Sequence, residues 1–319
     1  MPEGHTIHRL ARQFREVFAG QRLEASSPQG RFAAGAALLD GCELTAAQAH
    51  GKQLFLTFSD ADAAGTDSTD TDSTDSGERV LRIHLGLYGA WDFGGDSTFR
   101  GASSIGAPRR VGERELPAAS ETGQPTAGLL TAEPPPPGGS VRVRLVSAHG
   151  WADLRGPSAC EVLSPVEAEA LRARLGPDPL LNEPGDQERF LRLLSVRRTP
   201  IGTALMDQAV IAGVGNIYRA ELLFRGGLNP ELPSRTLRKE QAEHLWADAR
   251  LLLECGVADG RIVTTEPADR SQPSLSPVPL EDAHYVYHRE GLPCRRCRAV
   301  VRMREVAGRK LFWCPQCQS

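Results

Sequence analysis

The sequence predicts a multidomain α+β protein: a helix, a run of β-strands, a block of helices and a small cysteine module, in that order. Three observations carry this. Alternation with period two dominates the first half, helical spacing replaces it after about residue 165, and two Cys-x2-Cys pairs close the chain. A length of 319 residues is ample for more than one hydrophobic core.

The first helix begins almost at the terminus. In MPEGHTIHRLARQFREVFAG the residues Ile7, Leu10, Ala11, Phe14, Val17 and Phe18 fall on one helical face, and Gly20 supplies a stop. Burying that face holds Pro2 and Glu3 nearly still, where most chains begin with loose residues. The strands follow. GKQLFLTF places Leu54, Leu56 and Phe58 on one face, and RVLRIHLGLYGAW does the same with Leu81, Ile83 and Leu85. SVRVRLVSAHGW puts Val141, Val143 and Leu145 on one face and Arg142 and Arg144 on the other. Several short strands separated by turn signals predict a β-sandwich or barrel. Two inserts interrupt it. Residues 59–78 are a near-repeat of Asp, Ser and Thr with nothing to bury, and 101–140 is rich in Pro and Gly; both read as loose, disordered loop expansions.

From about Pro165 the texture is helical. SPVEAEALRARLG carries Glu167 three residues after Ser164, a capping-box pattern, and four more helical stretches follow. The domain reading is 1–158 for the helix and strands, 159–261 for the helices, a Pro/Ser-rich linker at 262–283, and the cysteine module at 284–319.

Charge is unevenly spread. The net charge is −3, but residues 59–78 hold seven acidic side chains and no Lys or Arg. Without them, 37 basic residues face 33 acidic ones. Residues 285–319 carry eight Lys or Arg against Glu290 and Glu305, a local field suited to phosphate. No run of 18 apolar residues and no signal-peptide pattern is present, which predicts an intracellular, cytoplasmic, nucleoid-associated protein with no membrane partner. Cys42, Cys160 and Cys255 read as buried small hydrophobes in a reducing compartment.

Two constellations carry chemistry. Cys294 and Cys297, then sixteen residues, then Cys314 and Cys317 fit one tetrahedral zinc ion. Four thiolates leave no open position, so the metal is structural. Around it stand Arg295, Arg296, Arg298, Arg302, Arg304, Arg309 and Lys310, read as phosphate contacts. In AGVGNIYRAELLF a helix, Gly213-Val214-Gly215-Asn216 and a second helix make a turn whose N-terminal N–H groups can bind phosphate. Asn216 sits at the expected N-cap, where it is either a phosphate donor or merely a cap.

The ordered set of MPEG, HGKQLF, GVGNIYRAELLF and CRRC…GRKLFWCPQCQ resembles the formamidopyrimidine-DNA glycosylase/endonuclease VIII family, and within it the endonuclease VIII-like branch. The resemblance covers nearly the whole chain outside the inserts and the linker. It implies a two-layer β-sandwich, a helix–two-turn–helix domain and a C-terminal zinc-finger β-hairpin around a DNA cleft. It also implies a monomer that acts on damaged DNA, double-stranded, bubble or single-stranded. The implied chemistry is bifunctional: removal of a damaged base, with a leaning to oxidised pyrimidines, then β,δ-elimination at the abasic site.

The resemblance assigns roles, and elementary chemistry agrees with them. With Met1 removed, Pro2 exposes a secondary amine. An α-amine titrates near 8, against roughly 10.4 for Lys, so far more of it is neutral near pH 7. Attack on C1′ gives an iminium ion, an electron sink that needs no further proton. Glu3 stands beside it as general acid/base. Lys52 and Arg309 carry over as phosphate-binding proton donors, Asn216 as a phosphate ligand, and Leu87 and Tyr88 of GLYG as the wedge that fills the gap left by a flipped base. The chain departs from the family pattern at Thr6, where a second glutamate is common, and at Gly86, where a polar residue is frequent. Two other readings fit parts of the chain: a non-catalytic binder of damaged DNA on the same scaffold, and a zinc-ribbon RNA-binding module.

Overall fold

A computed structural model of the protein describes residues 2–60, 77–107 and 134–319. They form two compact units: Pro2 with the described part of Thr6–Ala173, and Glu3–His5 with Arg174–Ser319. The expectations placed on 61–76 and 108–133 lie outside the described residues.

The first unit is a sandwich of two antiparallel sheets. One has the order β1 (Glu24–Ser26), β7 (Val141–Val146), β8 (Gly150–Arg155), β5 (Ala90–Gly95), β6 (Ser104–Gly106). The other has the order β2 (Glu43–His50), β3 (Gln53–Ser59), β4 (Glu78–His84), β9 (Ala159–Leu163). Helix α1 (Gly4–Phe18) contributes Ile7, Leu10, Phe14 and Phe18 to their shared core, and α2 (Ala33–Leu39) contributes Ala36 and Leu39. Phe14 meets Trp91 edge-on at 4.9 Å and Phe93 at 5.4 Å. The alternating residues Leu54, Leu56, Phe58, Leu81, Ile83, Val143 and Leu145 all lie in this core, as their period requires. Ser59 pairs with Glu78 at the last register position of β3 and β4.

Three features go beyond simple alternation. Phe55 is buried on the face opposite Leu54, because α3 (Pro165–Arg172) covers that face with Ala168 and lays the Arg172 guanidinium 4.3 Å from the Phe55 ring. Arg144, on the face opposite Val143 and Leu145, is buried in a bidentate pair with Asp153, both bonds at 2.7 Å. The first unit also extends to Ala173 rather than ending near 158. Strand β9 pairs along β4, Ile83 opposite Cys160, and its half-buried residues give no alternation to read. The predicted capping box of α3 is present: Ser164 N–H donates to Glu167 at 2.9 Å and Glu167 N–H to Ser164 Oγ at 3.3 Å.

The second unit packs α4 (Asp186–Ser195), the short α5 (Ile201–Ala204), α6 (Asn216–Arg225) and α7 (Lys239–Asp259). Its core gathers Phe190, Tyr218, Leu222, Leu223, Trp246 and Leu253. Residues Asn216 to Phe224 are buried on every side, the pattern of a central helix. Two successive turns join α5 to α6. Within them Gln208 accepts from Gly213 N–H at 3.1 Å and donates to Val214 O at 2.9 Å.

The segment read as a linker is bonded along its length. Glu221 of α6 accepts from the Thr264 hydroxyl and from the N–H groups of Tyr285 (2.7 Å), Val286 (2.9 Å) and Tyr287 (2.8 Å). Asp282, almost fully buried, accepts from Ser271 and pairs with Arg295 at 2.9 Å. The chain ends in the hairpin of β10 (Arg302–Val306) and β11 (Arg309–Trp313). Its two-residue turn has Ala307 at φ +50° and Gly308 at φ +71°, the twist a tight hairpin demands. Among the described residues no helix is long and apolar enough to cross a membrane. Of the three other cysteines Cys42 is buried and Cys160 half-buried, but Cys255 is exposed on α7, against expectation, because it falls off the face that buries Leu252, Leu253 and Gly256.

Candidate active site

In the second unit the site is built on the N-terminus of α6. The first N–H groups of a helix have no intrahelical acceptor. The N-cap residue, Gly215, has no side chain to offer one. Glu3 supplies it from 212 residues away: its carboxylate accepts from Gly215 N–H at 2.8 Å, Ile217 N–H at 2.9 Å and Tyr218 N–H at 3.4 Å. A negative carboxylate there also meets the positive end of the helix. The fit dictates glycine. A Cβ on Gly215 would lie 2.4 Å from Glu3 Cδ. Gly4 N–H donates to Gly213 O at 2.9 Å, and a Cβ on Gly4 would lie 2.7 Å from Gly213 Cα. Gly213 itself adopts φ +91°. Thus the glycines of MPEG and GVGN are two halves of one close backbone approach, and they fix Glu3 and the peptide that joins it to the buried Pro2.

Asn216 is the first residue of α6 and not its cap, because Glu3 already serves the helix terminus. Its Nδ2 donates to Lys310 O at 3.0 Å and its Oδ1 accepts from Arg219. Arg219 also donates to Lys310 O at 3.0 Å and to Gly202 O at 3.3 Å. Burial first, then the nearby charge of Arg309, brings the Arg219 guanidinium down to about 10. Arg309 stands exposed at the start of β11, just past the hairpin turn. Burial, then the charge of Glu3, pushes the Tyr287 phenol up. Arg219 and Tyr287 were not singled out in the sequence. Arg219 resembles any polar residue on a helix until the helix proves buried all round.

The zinc ligands converge as spaced. The four sulfurs of Cys294, Cys297, Cys314 and Cys317 lie within 4.8 Å of one another, with Cys294–Cys317 at 3.9 Å and Cys297–Cys314 at 3.4 Å. A Zn–S bond of about 2.3 Å in a tetrahedron puts the sulfurs about 3.8 Å apart, so the set fits a structural zinc ion. The surrounding basic residues divide in two. Arg295 pairs with Asp282, Arg296 with Asp269 and Glu266, and Arg304 with Glu231. No carboxylate pairs with Arg298, Arg302, Arg309 or Lys310 among the described residues. Three of the seven arginines and lysines read as phosphate contacts therefore hold the module together instead.

In the first unit the candidate residues sit on turns. Lys52 is half-buried in the two-residue turn between β2 and β3, after Gly51 at φ +57°. Leu87 and Tyr88 form the apex between β4 and β5 and are 49% and 79% exposed. Gly86 at φ +67° and Gly89, whose Cβ would lie 2.3 Å from Leu85 O, leave no room for side chains beside them. His84 holds this turn: its Nδ1 accepts from Gly86 N–H at 3.1 Å. Burial, then the charges of Arg82 and Lys52, hold its pKa down at about 4, so the ring is neutral and its proton is on Nε2.

Three stretches match family models: the formamidopyrimidine-DNA glycosylase N-terminal domain over residues 1–149, the formamidopyrimidine-DNA glycosylase H2TH domain over 175–267, and the zinc finger found in FPG and IleRS over 291–319. Sheet unit, helix–two-turn–helix and four-cysteine hairpin together define a DNA glycosylase/AP lyase of base excision repair. The chain belongs to the formamidopyrimidine-DNA glycosylase/endonuclease VIII family. It is 39% identical over 320 residues to Endonuclease 8 1 of Mycobacterium tuberculosis, covering 100% of both chains. It is 42% identical over 148 residues to the formamidopyrimidine-DNA glycosylase of Thermus thermophilus, 46% of this chain and 55% of that one. The crystal structure of Fpg from Thermus thermophilus matches with TM-score 0.65 at 27% identity, covering 99% of this chain and 98% of that one. The Lactococcus lactis Fpg complexed with abasic-site DNA shares the fold, with TM-score 0.68 at 20% identity and 99% of each chain covered.

Proposed function

We propose that the protein excises oxidised bases, oxidised pyrimidines foremost, and cleaves the abasic site through an imine on Pro2 with β,δ-elimination. Once Met1 is removed, the Pro2 nitrogen attacks C1′ and the glycosidic bond breaks, the base leaving with a proton. The amine then loses its proton and the C1′–O4′ bond opens, O4′ taking a proton through Glu3, which leaves the open-chain iminium ion. The iminium ion accepts electrons as a proton leaves C2′ and the 3′ phosphate departs. A second elimination expels the 5′ phosphate. Water then hydrolyses the imine and frees Pro2. Lys52 and Arg309 bind the flanking phosphates and donate protons, Asn216 binds phosphate, and Leu87 and Tyr88 fill the gap left by the flipped nucleotide. The protein acts as a monomer on duplex, bubble or single-stranded DNA of the nucleoid.

One observation carries this reading. The carboxylate of Glu3 accepts three backbone N–H groups at the N-terminus of α6, from the cap Gly215 and from Ile217 and Tyr218, and Gly4 bonds to Gly213 beside it. A terminus so restrained is what an N-terminal nucleophile requires, since a positioned group gains its rate from orientation already in place. The test is a set of duplexes, each with one thymine glycol, one 8-oxoguanine or one abasic site. The expected result is nicking at the abasic site and at thymine glycol, with 8-oxoguanine slower by about tenfold or more. Faster cutting at 8-oxoguanine removes the pyrimidine preference. Tight binding with no cutting at any lesion, in protein shown to lack Met1, replaces the enzyme with a damaged-DNA binder.

A further inference from the structure

We infer that Arg219 is a positioning residue that fixes the amide of Asn216 with its donor turned toward the DNA phosphate and ties the finger hairpin to the same helix. The inference rests on the reading of Asn216 as a phosphate ligand given above. An asparagine amide has an acceptor end and a donor end of nearly equal size, and nothing intrinsic decides which faces outward. Here the choice is made by charge. The guanidinium donates to Asn216 Oδ1, so the amide oxygen is held by Arg219 and Nδ2 is left as the donor end, with one N–H on Lys310 O. An amide nitrogen carries two N–H groups, so the second is available to a phosphate oxygen.

The same Arg219 nitrogen donates to Lys310 O, and its other terminal nitrogen to Gly202 O in α5. Lys310 follows Arg309, so α6 restrains the peptide that carries the finger arginine. Arg219 is 1% exposed, and its Nε finds no acceptor among the described residues. Burying a guanidinium at this cost, on a helix where an apolar side chain would pack, calls for a role beyond packing. Burial also excludes direct phosphate contact. The residue acts through Asn216 and Lys310.

The test uses a duplex bearing a tetrahydrofuran abasic analogue, which binds but forms no imine. Affinity is measured for the intact protein, Arg219→Met, Asn216→Ala and the double variant, across a salt series, with Tm recorded for each. Each single variant is expected to bind about tenfold more weakly, the worth of one charge-assisted hydrogen bond. The double variant should be no weaker than either single one, because the two residues act as one unit. The salt slope should not change, because the neutral Asn216 amide releases no counterion and Arg219 does not reach the phosphate, whereas loss of a charged side chain in direct phosphate contact lowers it by about 0.9. Multiplying effects, a reduced salt slope, or a lower Tm with unchanged affinity each overturns the inference. If Asn216→Ala alone is silent, the phosphate role of Asn216 falls, and this inference with it. Should Arg219→Met fail to fold, the same cycle is run with Arg219→Lys, which keeps the charge and loses the fork. Full affinity in that variant overturns the inference.

Discussion

The two units display their candidate functional side chains in opposite ways. The sheet unit presents them at the tips of tight turns: Lys52 after Gly51, and Leu87 and Tyr88 between Gly86 and Gly89. The backbone beneath is rigid and the tools project. In the helical unit Glu3, Asn216 and Arg219 are buried and bonded, and Arg309 is carried on a hairpin whose next carbonyl is gripped by two of them. Leu87 and Tyr88, exposed on their turn, can be exchanged at little cost to folding. A buried polar network cannot lose a member without leaving others unsatisfied.

The largest expected effect follows from the metal. Removing zinc with a strong chelator, or Cys314→Ser, should release the hairpin and abolish nicking, while circular dichroism still shows the helices of the second unit. Retained nicking without zinc would mean the hairpin positions nothing. Next comes Glu3→Gln. Base excision should fall by roughly 10² to 10⁴, the usual worth of a general acid/base, while cleavage of a preformed abasic site changes by less than about tenfold. Equal losses in both assays would reduce Glu3 to a helix cap.

Smaller effects belong to the sheet unit. Replacing Leu87 and Tyr88 together by Ala should leave Tm unchanged, since both are exposed, and slow excision from duplex by about tenfold. Lesions in single strands should be cut almost normally. A drop in Tm would assign the pair to packing. The smallest effect is one of pH. His84 sits at about 4 in the folded protein and at 6.5 when unperturbed. The unfolded ring takes up a proton below about 6.5 and the folded one does not, so the stability this neutral ring contributes is present above 6.5 and lost as pH falls to about 4. Tm should therefore fall less over that window in His84→Gln than in the intact protein.

Much of this was legible before any coordinates. The cysteine spacing, the strand alternation and the capping box depend on neighbours a few residues away, and each appears as read. What escaped depends on distant partners. Gly4 and Gly215 look like ordinary turn residues until Gly213 and Glu3 arrive beside them. Asn216 looks like a cap until Glu3 takes that place. Phe55 breaks the alternation only because a helix more than a hundred residues on covers its face. The basic tail reads as one patch, yet Arg295, Arg296 and Arg304 spend their charge on acids of other segments.

The central claim is the covalent role of Pro2, and borohydride trapping tests it most directly. Protein shown by intact mass to lack Met1 is mixed with a duplex holding one abasic site, reduced, digested and mapped. The account predicts a stable cross-link on the Pro2 peptide. A cross-link on a lysine, or tight binding without any cross-link, would contradict it.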